Sequence, residues 1–114
     1  TLPPANMAAM GKLSIKEKEL KIEGILKDWM NTIRRVVLED KDIAEKVYRK
    51  SVEGCLAEML AYSFENKVKV PDAIASVTTV TINGKKEKMR TPVYMGVPNS
   101  TDARQIVQKY YRRA

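Results

Sequence analysis

Between Ile15 and Val37, nine apolar residues recur at helical spacing: Ile15, Ile22, Ile25, Leu26, Trp29, Met30, Ile33, Val36 and Val37. At roughly 100° per residue they share an arc of about 140°. The steps 22, 26, 29, 33, 36 alternate by four and three, the spacing of a seam that packs lengthwise on a second helix. Glu17, Lys21, Glu23, Lys27, Asp28 and Arg34 take the opposite side, and Glu17–Lys21 and Glu23–Lys27 are favourable pairs four residues apart. Ser14-Ile-Lys-Glu17 has the form of a capping box. The pattern predicts one helix over 15–38, and a seam this long demands a partner face.

The next segment supplies one. Asp42-Ile-Ala-Glu45 reads as a second capping box and predicts a helix to about Phe64. Tyr48, Val52, Cys55, Met59 and Tyr62 form one apolar face, expected to close on the first helix as an antiparallel hairpin. Ile43, Val47, Gly54, Ala57 and Ala61 form another. A mid-helix glycine costs about 1 kcal/mol relative to alanine, which close approach of another helix offsets. Gly54, Ala57 and Ala61 are therefore the candidate interface of a homo-oligomer.

Beyond Pro71 the periodicity changes. Val77-Thr-Thr-Val-Thr-Ile82 is β-branched throughout, and Asn83-Gly84 separates it from Lys85-Lys-Glu-Lys-Met-Arg90. Asn-Gly between two such runs signals a two-residue hairpin turn, which pairs 82 with 85, 80 with 87 and 78 with 89. One face then carries Val77, Thr79, Thr81, Lys86, Lys88 and Arg90. Val93-Tyr-Met95 is expected to continue the second strand. Asn99 or Ser100 caps a last helix, with Ala103, Ile106, Val107 and Tyr110 as its apolar face. The fold class is α+β, a long helical hairpin followed by a β-hairpin and a C-terminal helix, in the order α-α-β-β-α. Pro3 and Pro4 argue for a flexible N-terminal arm over 1–12, with a single domain over 13–114.

Charge is uneven. Residues 1–70 hold 13 basic and 11 acidic side chains, whereas 71–114 hold 8 and 3. A basic excess favours a polyanionic partner. Lys85, Lys86, Lys88 and Arg90 crowd the hairpin, and Arg104, Lys109, Arg112 and Arg113 line the last helix. These eight are the candidate nucleic-acid contacts, with Tyr110 and Tyr111 as candidate stacking groups, of which Tyr110 is expected rather in the core. Lysines on an edge strand also guard against aggregation.

Other chemistries find little support. There is no histidine and one cysteine, Cys55, so no Ser-His triad, disulfide or CxxC pair can form. Cys55 sits on an apolar face and reads as a core thiol. Glu39, Asp40, Asp42 and Glu45 form an acidic cluster, but capping accounts for Asp42 and Glu45 and the EF-hand glycine is missing, so no metal site is expected. No phosphate loop, cofactor motif or small-molecule site is evident, and no apolar run reaches transmembrane length. The lone cysteine and the lack of a secretory pattern point to the cytoplasm. The sequence thus predicts a non-enzymatic, sequence-nonspecific nucleic-acid-binding accessory protein, itself a homo-oligomer. The alternative is an oligomeric structural or assembly protein, such as a virus or phage particle component, which would reside in the virion.

Overall fold

Pro3 and Pro4 start a helix instead of preventing one. The computed structural model describes residues 3–113, and in it α1 runs Pro4–Glu19 with Pro4 in the first turn. A proline is favoured there because its missing N–H would have no helical partner. Asn6, Ala9 and Leu13 are buried, and Asn6 Nδ2 donates to the Val37 carbonyl at 2.5 Å. The arm expected over 1–12 is therefore helix from residue 4 onward and part of the core; residues 1 and 2 lie outside the described residues.

The single helix expected over 15–38 is broken. Ser14 lies inside α1 and caps nothing. Leu20 closes α1, and Lys21 follows with φ of 53°. The Ile22 N–H donates to the Glu17 carbonyl and the Lys21 N–H to the Lys18 carbonyl. This is a Schellman end, with lysine where glycine is usual. Gly24, at φ of 63°, opens α2 (Ile25–Glu39). Two left-handed residues within four positions cannot continue a helix. The seam itself survives: Trp29, Met30, Ile33, Val36 and Val37 are buried, while Ile15 and Ile25 are exposed.

Asp40 joins α2 to α3 (Lys41–Arg49). Its N–H donates to the Val36 carbonyl, and its carboxylate accepts from the N–H groups of Asp42 and Ile43. Asp40, not Asp42, is thus the cap. The second expected helix, 42–64, is also two. Lys12 from α1 donates through Nζ to the carbonyls of Val47, Tyr48 and Lys50, which ends α3. Ser51 Oγ accepts from the Gly54 N–H at 2.9 Å and starts α4 (Val52–Glu65). Val52, Cys55 and Met59 reach the core as expected, but the break turns Tyr48 outward, 60% exposed.

The strands follow in two separate pairs. β1 (Val68–Val70) precedes a short helix α5 (Asp72–Ala75), then come β2 (Thr79–Ile82), β3 (Lys85–Lys88) and β4 (Val93–Met95). β2 and β3 pair with Ile82 opposite Lys85 and Val80 opposite Glu87. The Met89 N–H extends the ladder to the Thr78 carbonyl. Asn83 and Gly84 both have positive φ, as the Asn-Gly turn requires. The register is the expected one. β4 does not continue this hairpin; it pairs antiparallel with β1, placing Val68 opposite Met95, Lys69 opposite Tyr94 and Val70 opposite Val93. α6 (Ser100–Arg112) closes the order, with the Asn99 side chain accepting from the Asp102 N–H.

The α+β class holds, with six helices and two small antiparallel sheets among the described residues. The expected single domain resolves into two compact units, Thr1–Ala61 with Pro98–Ala114, and Tyr62–Val97. The first holds the core: α1 packs on α2 and α3, and α6 packs on both α2 and α3. Leu13, Met30, Ile33, Ile43, Val52, Met59 and Val107 are among its fully buried side chains. In the second, Ala75 is the one buried residue. Two-stranded sheets with no core are marginal alone in water.

Candidate nucleic-acid interface

The eight predicted cations fall into two groups with different chemistry. Those on and after α6 belong to the first unit and are largely paired. Arg104 donates to Glu39, Arg112 to Asp40 at 3.0 Å, and Arg113 to Glu58. Arg104 holds the Glu39 carboxyl below its ordinary range, and Arg112 does the same for Asp40, helped by the two capping amides. The acidic cluster therefore partners arginines and a helix end. Among the described residues, no group of three or more His, Cys, Asp or Glu side chains is placed to hold a metal ion. Lys109 is exposed on α6.

The tyrosines proposed to stack on bases are in the core. Tyr111 is fully buried, and Tyr110 meets it edge-on with ring centroids 4.9 Å apart. The Tyr110 hydroxyl donates to the Ser51 carbonyl at 2.9 Å, and Lys50 Nζ lies 4.1 Å from its ring centroid. Neither ring has a free face. Burial pushes the Tyr111 phenol above its usual range. It also pushes the neighbouring Cys55 thiol up to about 12, with the Glu58 charge adding to it. A thiol so held is not a nucleophile at neutral pH.

Gly54 faces a contact within its own chain. A Cβ there would lie 2.1 Å from the Tyr110 hydroxyl oxygen and 2.8 Å from Ser51 Oγ. The glycine admits α6 of the same chain. That leaves Ala57 and Ala61 of the predicted strip, both exposed.

The hairpin cations stand apart from all of this. Lys85, Lys86, Lys88 and Arg90 are exposed, and none has an ion-pair partner among the described residues. The ladder sets Lys86 opposite Thr81 and Lys88 opposite Thr79. Side chains alternate along a strand, so these four residues form one uncharged-plus-basic face, with Lys86 and Lys88 about 7 Å apart. Arg90 follows two residues beyond Lys88. The reverse face carries Val80, Thr78 and Met89, all half-buried, with Lys85, Glu87 and Ile82 towards the turn. The second unit carries six basic and three acidic residues.

The sequence reading missed β1, and with it a second exposed feature of this unit. Val68-Lys-Val70 before Pro71 does show period-2 alternation, but three residues are too few to separate from a loop. Its pairing with β4 sorts the sheet into an apolar face of Val68, Val70, Val93 and Met95 and a reverse face of Lys69 and Tyr94.

A cleft of about 780 Å³ lies in the first unit where α3 meets the end of α6, with Asp42, Glu45, Lys46 and Arg49 on its walls. There Lys46 donates to the Arg112 carbonyl and Lys50 to those of Tyr110 and Arg113, so its lysines close the C-terminal end of α6. No helix among the described residues is long and apolar enough to cross a membrane. Comparison with protein families, with curated proteins and with solved structures finds no match for this chain.

Proposed function

We propose that this protein binds nucleic acid through the phosphate backbone, using the cations of the β2–β3 hairpin, and carries out no chemistry on it. The reading rests on one contrast. The arginines of α6 meet carboxylates of their own unit, whereas Lys85, Lys86, Lys88 and Arg90 are exposed along the two-stranded hairpin with no such partner. Lysine acts as a point charge, so these contacts favour phosphates over base edges and give little sequence preference.

A salt titration tests the reading. Each phosphate contact on duplex DNA adds about 0.9 to the slope of log affinity against log salt. Replacing all four hairpin cations by glutamine flattens that slope by up to roughly three to four units, equally on unrelated sequences. Equal slopes for the two proteins refute the proposal.

A second reading, that the chain is an oligomeric assembly protein, is favoured by the exposed apolar sheet face. Val68 and Met95 oppose each other there, 71% and 59% exposed. Packing that face against a second copy would complete a unit lacking its own core. Sedimentation tests this: Val68→Lys should then give smaller species that remain folded. A wild-type protein already monomeric at high concentration refutes it.

A further inference from the structure

We infer, building on the nucleic-acid reading above, that the ligand of the second unit is single-stranded, with Tyr94 as its base-stacking platform and Lys69 as the phosphate contact beside it. Tyr94 and Lys69 are directly opposed across the β1–β4 pair, so their side chains leave the same face of the sheet. Tyr94 is 55% exposed, and the Lys69 side chain is about as open. A ring and an ammonium thus stand side by side in solvent, with the aliphatic residues of both strands on the reverse face. The rings that do build the core, Tyr110 and Tyr111, are buried in the first unit.

A second exposed ring belongs to the same unit. Phe64, 67% exposed, lies in the last turn of α4, with Lys67 Nζ 5.3 Å from its centroid. Gly96 ties that turn to β4. A Cβ at Gly96 would lie 2.5 Å from the Ser63 carbonyl oxygen and 2.8 Å from that of Asn66. Backbone therefore meets backbone, and the ends of α4 and β4 are held together with Phe64 and Tyr94 on them. Arg90 is four residues before Tyr94, so their Cα atoms are at most about 14 Å apart. Cations from the hairpin and from β1 thus flank the ring along the chain.

This arrangement selects a strand with unstacked bases. In a duplex the base faces are covered by their neighbours, and an exposed ring has nothing to stack on. In a single strand every base offers a π-face, and aromatic platforms with flanking cations bind it without sequence preference. The net positive charge of the unit matches that ligand. One acidic group opposes this contact: Asp72 pairs with Lys69 at 3.7 Å, both partners about half exposed. Such surface pairs are weak enough for a phosphate to displace.

The test measures anisotropy of a labelled dT 20-mer, a labelled rU 20-mer and a 20-base-pair duplex with the full chain. Tyr94→Ala should weaken single-strand binding by about 5- to 150-fold and leave the salt slope and duplex binding unchanged. Tyr94→Phe should keep wild-type affinity, since the ring remains. Lys69→Gln should lower the single-strand slope by about 0.7, and Asp72→Asn should tighten binding by freeing Lys69. The dT and rU arms show which backbone is preferred. If wild type binds single strand and duplex with hairpin-dependent slopes but Tyr94→Ala changes nothing, the single-strand inference falls and the phosphate reading stands. Equal weakening on the duplex also overturns it. If wild type binds none of the three, both readings fall.

Discussion

Gly54→Ala should destabilise this protein, although the same change in a free helix is stabilising. Gly54 lies in the first turn of α4, where alanine gains up to about 1 kcal/mol in helix propensity. The new methyl, however, would lie 2.1 Å from the Tyr110 hydroxyl oxygen and 2.8 Å from its ring carbon Cζ. No real contact is that short, so Tyr110 must withdraw. Its hydroxyl then gives up the bond to the Ser51 carbonyl at 2.9 Å, a net loss of about 0.5–1.5 kcal/mol. Its ring cannot move freely, being set edge-on against the buried Tyr111. Overpacking of this kind costs typically about 1–3 kcal/mol. The terms leave a net loss of roughly 1–3 kcal/mol, or about 4–12 °C in Tm for a chain of this size. Urea unfolding followed by circular dichroism measures it. Tyr110→Phe removes the nearest atom, so Gly54→Ala should cost less in that background than in wild type. If Gly54→Ala raises stability by the helix-propensity amount, Gly54 does not face Tyr110 and the packing of α6 on α4 is misplaced.

Three other outcomes follow from the core and its charges. Ile33→Ala should cost about 2–5 kcal/mol in a urea titration, because Ile33 is fully buried in the α2 seam; a loss under about half a kcal/mol would contradict that burial. Cys55, with its thiol pushed up to about 12, should resist Ellman's reagent in the folded protein and react only as the chain unfolds; labelling at the rate of a free thiol would contradict it. Asp40, Glu39 and Glu17 are each held below their ordinary carboxyl range by a hydrogen-bonded arginine. Their stabilisation is therefore complete above the unfolded carboxyl values and lost as pH falls through the folded ones. The urea midpoint should drop on acidification, and Asp40→Asn, which keeps a good cap but loses the Arg112 charge pair, should flatten that drop. An unchanged pH profile would remove Asp40 from the account.

The hairpin shows what a short stretch of sequence can specify. Asn83 and Gly84 are suited to positive φ, the flanking residues are β-branched or alternate, and the turn length leaves one register. Nothing outside residues 78–89 is needed to place Lys86 and Lys88 on one face. The α2 seam and the Asn99 cap were legible for the same reason: their signals lie within a helical turn or two of the structure they specify. The Pro3-Pro4 pair also carried a local signal, for a helix start, and reading it as a disordered arm overlooked the freedom of the first helical turn.

The breaks were a different matter. Lys21 takes a left-handed conformation with no glycine to announce it, and Ser51 starts α4 inside a pattern that reads as continuous helix. What ends α3 is Lys12, 35 to 38 residues away on α1. The arginines that looked like a nucleic-acid surface find carboxylates 55 to 72 residues distant. Val93-Tyr94-Met95 passes over the adjacent hairpin and pairs with β1, which brings Lys69 beside Tyr94. Local periodicity, turn chemistry and capping are written in neighbouring residues, so the elements and the hairpin register could be read there. Which charges are neutralised, which aromatic rings are buried and which remain open to a ligand depend on contacts between segments far apart in the chain. Those contacts form only when the segments pack together.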